Sequence, residues 1–137
     1  MSGASSLSPI LSNSSASAEA DALKVLIAED SDSDRLILSA LVRRLGHQVV
    51  EARDGVEAVA MFCDHQPDIV LLDALMPRMD GMEAARQIKA LAGERLVPLI
   101  FLSSLSDAAE LARCLEAGGD DFLAKPYNRV ILEAKIN

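Results

Sequence analysis

Apolar residues recur along this chain with two alternating periods. Lys24-Val25-Leu26-Ile27-Ala28 is a short β-rich run that stops at the acidic pair Glu29-Asp30. From Ser31 to Gly46, Leu36, Ile37, Ala40, Leu41 and Leu45 recur at helical spacing, and Gly46 closes the segment. His47 to Ala52 predicts a second strand. Gly55 to His65 predicts a helix carrying Val56, Val59, Ala60 and Phe62. Ile69-Val70-Leu71-Leu72 is apolar throughout, as expected of a strand buried on both faces. The loop from Asp73 to Asp80 leads into a helix from Gly81 to Leu91, and Pro98-Leu99-Ile100-Phe101-Leu102 predicts a fourth strand. Ser106 to Ala117 reads as a helix with Ser106 as N-cap and Gly118-Gly119 as stop. Asp121 to Ala124 makes a short fifth strand, and Asn128 to Ile136 begins a last helix.

Strands alternating with helices predict an α/β fold, a five-stranded parallel sheet with helices on both faces. Right-handed crossovers leave few topologies for such a sheet. Ligands in these folds bind beyond the carboxyl ends of the strands, where the strand order switches. The residues just after each strand are therefore the candidates for chemistry.

Composition narrows the function classes. The chain has 137 residues, enough for one domain, and half of them are hydrophobic, so a core can form without disulfides or a structural metal. The net charge of −8 argues against nucleic acid or an anionic membrane as a direct partner. No apolar run approaches the ~20 residues of a membrane span. Cys63 and Cys114 lack the paired spacing of a zinc or redox motif, in keeping with a reduced, cytoplasmic setting. Residues 1–22 are rich in serine and alanine and read as a disordered leader without signal-peptide features. The folded domain is expected over residues 23–137. His47 and His65, at helix–strand junctions, are expected to be solvent-exposed.

The strand ends hold Glu29 and Asp30, then Asp73, Ser103 and Lys125. Singly, each has an ordinary explanation as a turn residue, a cap or a solvated charge. Together they form a more specific set. Carboxylates crowded in a partly desolvated crevice repel one another unless a cation lies between them. All-oxygen ligation with water positions left open suits Mg²⁺, and the absence of His or Cys at these positions disfavours zinc. A metal, a lysine, a hydroxyl and a nucleophilic carboxylate together equip a site for phosphoryl transfer.

These residues resemble a response-regulator receiver domain of two-component signalling. The resemblance rests on Glu29-Asp30, on the run from Leu71 to Gly81 (Leu-Leu-Asp-Ala-Leu-Met-Pro-Arg-Met-Asp-Gly), on Ser103 after an apolar strand, and on Lys125-Pro126. Ser103 lies 30 residues after Asp73, and Lys125 lies 22 after Ser103. The resemblance implies a flavodoxin-like sheet of strand order 2-1-3-4-5. It implies Asp73 as the phosphoacceptor, supplied by a sensor histidine kinase or a phosphotransfer protein. Asp30, Asp73 and the backbone carbonyl of Leu75 would ligate Mg²⁺, with a more distant contribution from Glu29. Lys125 would pair with the phosphoryl oxygens, and its bond to Pro126 would be cis. Ser103 would swing toward the phosphoryl group, and Phe122 would turn inward as the switch aromatic. The protein would not be an enzyme in the ordinary sense, though it would assist its own phosphorylation and autodephosphorylation. Its change of shape would act on an output domain or a downstream protein, and a homodimer is an open assembly.

Three features depart from the common pattern. Position 29 is Glu where many relatives have Asp. Ser104 follows Ser103 where a small apolar residue is usual, and the interval favours Ser103 as the working hydroxyl. The last helix lacks a stop signal, as expected of a receiver cut from a longer protein, and only loosely resembles that of DNA-binding regulators. That leans the reading toward an enzymatic output domain. A flavin or nucleotide binder on the same architecture is disfavoured by the four carboxylates between Glu29 and Asp34. A haloacid-dehalogenase-like phosphatase would want a second acid where Leu75 stands. A degenerate receiver that only binds partners could dispense with some of these groups, yet all are present.

Overall fold

The computed structural model describes residues 22–103 and 108–136; the leader up to residue 21, Ser104 and the proposed cap Ser106 lie outside them. In chain order the elements are β1 (Lys24–Ala28), α1 (Asp32–Arg44), β2 (Gln48–Ala52), α2 (Gly55–His65) and β3 (Ile69–Asp73). They continue as α3 (Gly81–Ala92), β4 (Leu99–Ser103), α4 (Ala108–Glu116), β5 (Asp121–Ala124) and α5 (Arg129–Ile136). The strands form one parallel sheet in the order β2-β1-β3-β4-β5, as expected.

Side chains alternate across each strand, so the sheet feeds two apolar layers. Val25, Ile27, Ile69, Leu71, Ile100 and Leu102 face α1 and α5 through Leu38, Val42, Leu132 and Ile136. Leu26, Val70, Leu72, Leu99 and Phe101 face α2, α3 and α4 through Phe62, Ala85, Ile88 and Cys114. β3 and β4 are buried along their whole length, because helices cover both of their faces. Each fully buried Leu, Ile or Phe contributes about 1.5–3 kcal/mol, and together they hold the sheet against the entropy of ordering the chain.

Two expectations about exposure are corrected. On α1 the buried positions are Arg35, Leu38, Ser39 and Val42, while Leu36 and Ile37 are exposed. The helix is apolar around most of its circumference, so periodicity does not single out one stripe, and the sheet selects the face. His47 is also buried, not exposed: its Nδ1 accepts the Leu23 amide at 3.0 Å. That amide enters the sheet region beside the start of β2 and needs an acceptor there. His65 is exposed, in line with expectation.

The loops after the first three strands turn directly into capped helices. Ser31 accepts from the Asp34 amide, Asp54 from Glu57 and Asp80 from Glu83. Such caps are worth about 1 kcal/mol each. They place the N-termini of α1, α2 and α3 at the carboxyl edge of the sheet.

Candidate functional site

Register makes the strand ends nearly flush. Ala28 lies beside Leu72 and Ala52, Asp73 beside Leu102, and Ser103 beside Ala124. Residues one or two steps past those positions must therefore converge. One carboxylate oxygen each from Glu29, Asp30 and Asp73 lie within 4.8 Å of one another. The Lys125 ammonium reaches in from beyond β5, 3.0 Å from Glu29 Oε1, 3.3 Å from Asp73 Oδ2 and 3.9 Å from Asp34 Oδ2. Glu29 is fully buried, Asp73 and Ser103 nearly so, and Asp30 is exposed. The Lys125–Pro126 peptide is cis. The backbone carbonyl of Ser103 accepts the Lys125 amide at 3.0 Å, which ties the end of β4 to that turn.

The electrostatics are those of a crowded acidic crevice. Burial, then the hydrogen bond and charge of Glu29, push the Asp73 carboxyl up from its ordinary 3.8 to about 7. Burial also works to raise Glu29, but hydrogen bonds from Asp73, Lys125 and Tyr127 outweigh it and hold that carboxyl below its usual range. Burial works to lower Lys125, and the two carboxylates overcome it and raise the ammonium. Of the pair, Glu29 is thus the stronger acid, and a proton shared between them rests on Asp73 up to about neutral pH.

Two contacts were not foreseen from the sequence. The Tyr127 hydroxyl donates to Glu29 Oε1 at 2.9 Å, and Arg35 donates to the Glu29 backbone carbonyl at 2.8 Å. Tyr127 follows Lys125-Pro126 directly, and an aromatic with a polar tip beside a buried acid was the available signal. Arg35 sits one turn into α1 and is also paired with Asp32.

The loop after Asp73 is held from outside. The Leu75 amide donates to Asp73 Oδ1 at 3.4 Å, while the Leu75 side chain is exposed. Arg78, at φ +68°, sets its guanidinium 2.9 and 3.0 Å from Asp54 Oδ2, pinning the loop to the cap of α2. Gly55 lets this approach happen, since a Cβ there would lie 2.2 Å from the Met79 carbonyl oxygen. On the other side, Ser103, Leu111, Phe122, Leu123 and Ala124 line a cavity of about 160 Å³, with Phe122 half-buried.

This arrangement fits a hard divalent cation. The donors are all oxygen, one of them is exposed, and three carboxylates share the single Lys125 ammonium, which leaves negative charge for a cation to balance. Mg²⁺ favours such partial sites, keeping waters on its open positions.

Comparison with known proteins agrees with this geometry. The response regulator receiver domain family matches residues 25–137. A probable transcriptional regulator of Guillardia theta is 41% identical over 113 residues, covering 82% of this chain and 43% of the relative. The chain thus spans less than half the length of that relative. The receiver domain of a sensor histidine kinase from Pseudomonas aeruginosa, crystallised with magnesium in its active-site cleft, superposes with TM-score 0.78 at 33% identity. That match covers 84% of this chain and 94% of the other. The receiver domain of Ssk1 from Saccharomyces cerevisiae, solved with the histidine phosphotransfer protein Ypd1, superposes with TM-score 0.76 at 27% identity, covering 84% and 86%. The chain belongs to the response-regulator receiver family of two-component signalling.

Proposed function

We propose that Asp73 accepts a phosphoryl group from a phosphohistidine on a sensor kinase or phosphotransfer protein, in a Mg²⁺-dependent reaction. The observation that carries this reading is the placement of Lys125 between Asp73 and Glu29, in a crevice where three carboxylates meet. Asp30, Asp73 and the Leu75 carbonyl would hold the cation, with Glu29 behind them. A cation held there would supply positive charge for the phosphoryl oxygens, and the ionised Asp73 oxygen would bond to phosphorus as the phosphorus–nitrogen bond to the donor histidine breaks and the imidazole leaves. Lys125 would move its charge toward the new phosphoryl group, and Ser103 would donate a hydrogen bond to it. The same groups would assist autodephosphorylation.

The domain is taken to begin at residue 23, after the leader. Among the described residues no helix is long and apolar enough to cross a membrane. A cytoplasmic setting fits the kinase partnership. The phosphorylated form would act on an output domain or a downstream protein. Relatives named as transcriptional regulators and the receiver domain of a diguanylate cyclase both match, so either kind of output domain fits this reading.

The test is direct. A small phosphodonor with Mg²⁺ is expected to add one phosphoryl group, read as a mass increase, and Asp73→Asn is expected to abolish it. Unchanged labelling in that variant sinks the assignment.

A further inference from the structure

Glu29 is the most deeply buried charged group of the site, and it is held from several directions. Tyr127 Oη donates to Oε1 at 2.9 Å, Lys125 lies 3.0 Å from the same oxygen, and the Ser31 amide donates to Oε2 at 3.3 Å. Arg35 grips the backbone carbonyl at 2.8 Å. Two of these contacts are backbone-determined or fall on the backbone itself. Of the three side chains that engage the carboxylate, Asp73 is the proposed phosphoacceptor and Lys125 also faces Asp73 and Asp34. The proposed reaction requires Lys125 to turn to the phosphoryl oxygens. When it does, Tyr127 is the side chain left to hold Oε1.

We propose that Tyr127 is a positioning residue of this site, whose hydroxyl keeps the Glu29 carboxylate turned toward the cation position while Lys125 serves the phosphoryl group. Glu is one methylene longer than Asp, which gives its carboxylate more rotamers and more need of a fixed partner. A phenol suits that role. Its ring is packed in the layer against α1 and α5, its position is set by two torsions, and its hydroxyl has one proton to give. The hydroxyl is 98 residues away in sequence from the acid it holds, so this pairing exists only in the folded domain. The inference rests on the metal-dependent reading above and adds a residue to it.

The effect is expected in metal affinity, because partners that orient ligands to a metal typically change affinity 10- to 100-fold when removed. Tyr127→Phe removes one oxygen and leaves the ring. Mg²⁺ affinity is measured by calorimetry on wild type, Tyr127→Phe, Glu29→Ala and the double variant. Tyr127→Phe is expected to bind Mg²⁺ about 10-fold more weakly. In the Glu29→Ala background it is expected to change nothing further, because no carboxylate remains to be positioned. A general loosening of the fold would instead weaken binding in both backgrounds, and that result overturns the proposal. So does equal affinity of Tyr127→Phe and wild type. A wild type that takes up no Mg²⁺ overturns the metal-dependent reading itself, and this inference with it.

A second readout is spectroscopic. Tyr127 is the single tyrosine and the chain has no tryptophan, so its emission is unmixed. A phenol donating to a carboxylate is quenched, and Glu29→Ala is expected to brighten it. Unchanged emission in that variant would show that the hydroxyl does not engage Glu29 in solution, and would overturn the proposal.

Discussion

Asp73 and Asp30 occupy the same crevice in opposite circumstances, and that difference sets what each should do when altered. Asp73 is almost fully buried, with its carboxyl raised from 3.8 to about 7. An acid whose folded pKa is raised favours folding while protonated. That contribution is fully present below 3.8 and is lost as pH rises through about 7. Metal-free protein is therefore expected to melt at progressively lower temperature across that window, by an amount worth roughly 2–4 kcal/mol. Asp73→Asn, or saturating Mg²⁺, should flatten the profile. A flat profile in chelator for wild type would show that the proton is not shared as described. Asp30 is exposed and adds only like charge to the cation-free site. Asp30→Ala should weaken Mg²⁺ binding yet be no less stable than wild type in EDTA. A marked loss of stability in EDTA would make Asp30 a structural residue.

At the scale of elements, the turn from β3 into α3 positions Asp73, the proposed acceptor. The Gly81 amide donates to the Ala74 carbonyl at 2.9 Å, bringing the first turn of α3 against the end of β3. A Cβ at Gly81 would lie 2.1 Å from the Asp73 carbonyl oxygen and 2.8 Å from the Ala74 Cα. Both are backbone atoms and neither can swing aside. Gly81→Ala is expected to cost about 1–3 kcal/mol in urea unfolding and to slow phosphorylation, because the acceptor's own peptide must shift. Wild-type stability and labelling in that variant would show slack that the packing does not suggest. The elements themselves were legible from the sequence for a simple reason. β3 and β4 are covered on both faces and read as unbroken apolar runs. The rotation of α1 was not legible: with Leu36, Ile37, Leu38, Leu41 and Val42 all apolar, only contact with the sheet decides which of them go inside.

For the whole molecule, the question is how a charge at one edge reaches a face. Phosphorylation of Asp73 would add nearly two negative charges and acceptors within reach of Ser103 and Lys125. The cavity of about 160 Å³ lined by Ser103 and Phe122 would take the ring if Ser103 moved as proposed. A switch needs a coupling of only about 1–3 kcal/mol. Losing a hydrogen bond to a charged acceptor costs about 1.5–3 kcal/mol, comparable to all of it. Ser103→Ala is therefore expected to accept phosphate yet leave the change incomplete. Amide NMR with and without beryllofluoride and Mg²⁺ should show shifts at Phe122 and along α4 in wild type, and much smaller ones in the variant. An equal response of both proteins at that face would show that Ser103 does not carry the signal.

The sequence by itself determined the order and type of the elements, and with them the residues at the strand ends. A parallel sheet sends every strand's carboxyl end to one edge, so Glu29, Asp30, Asp73, Ser103 and Lys125 had to meet there once five strands were recognised. Tertiary structure alone decided how they meet. Lys125 rests between Glu29 and Asp73, Tyr127 reaches Glu29, Arg78 clasps Asp54, and His47 turns inward to serve the Leu23 amide. These contacts join loops or strand entries far apart in the chain, where no hydrophobic period operates. Their geometry comes from strand register and from the burial of polar groups that must each find a partner.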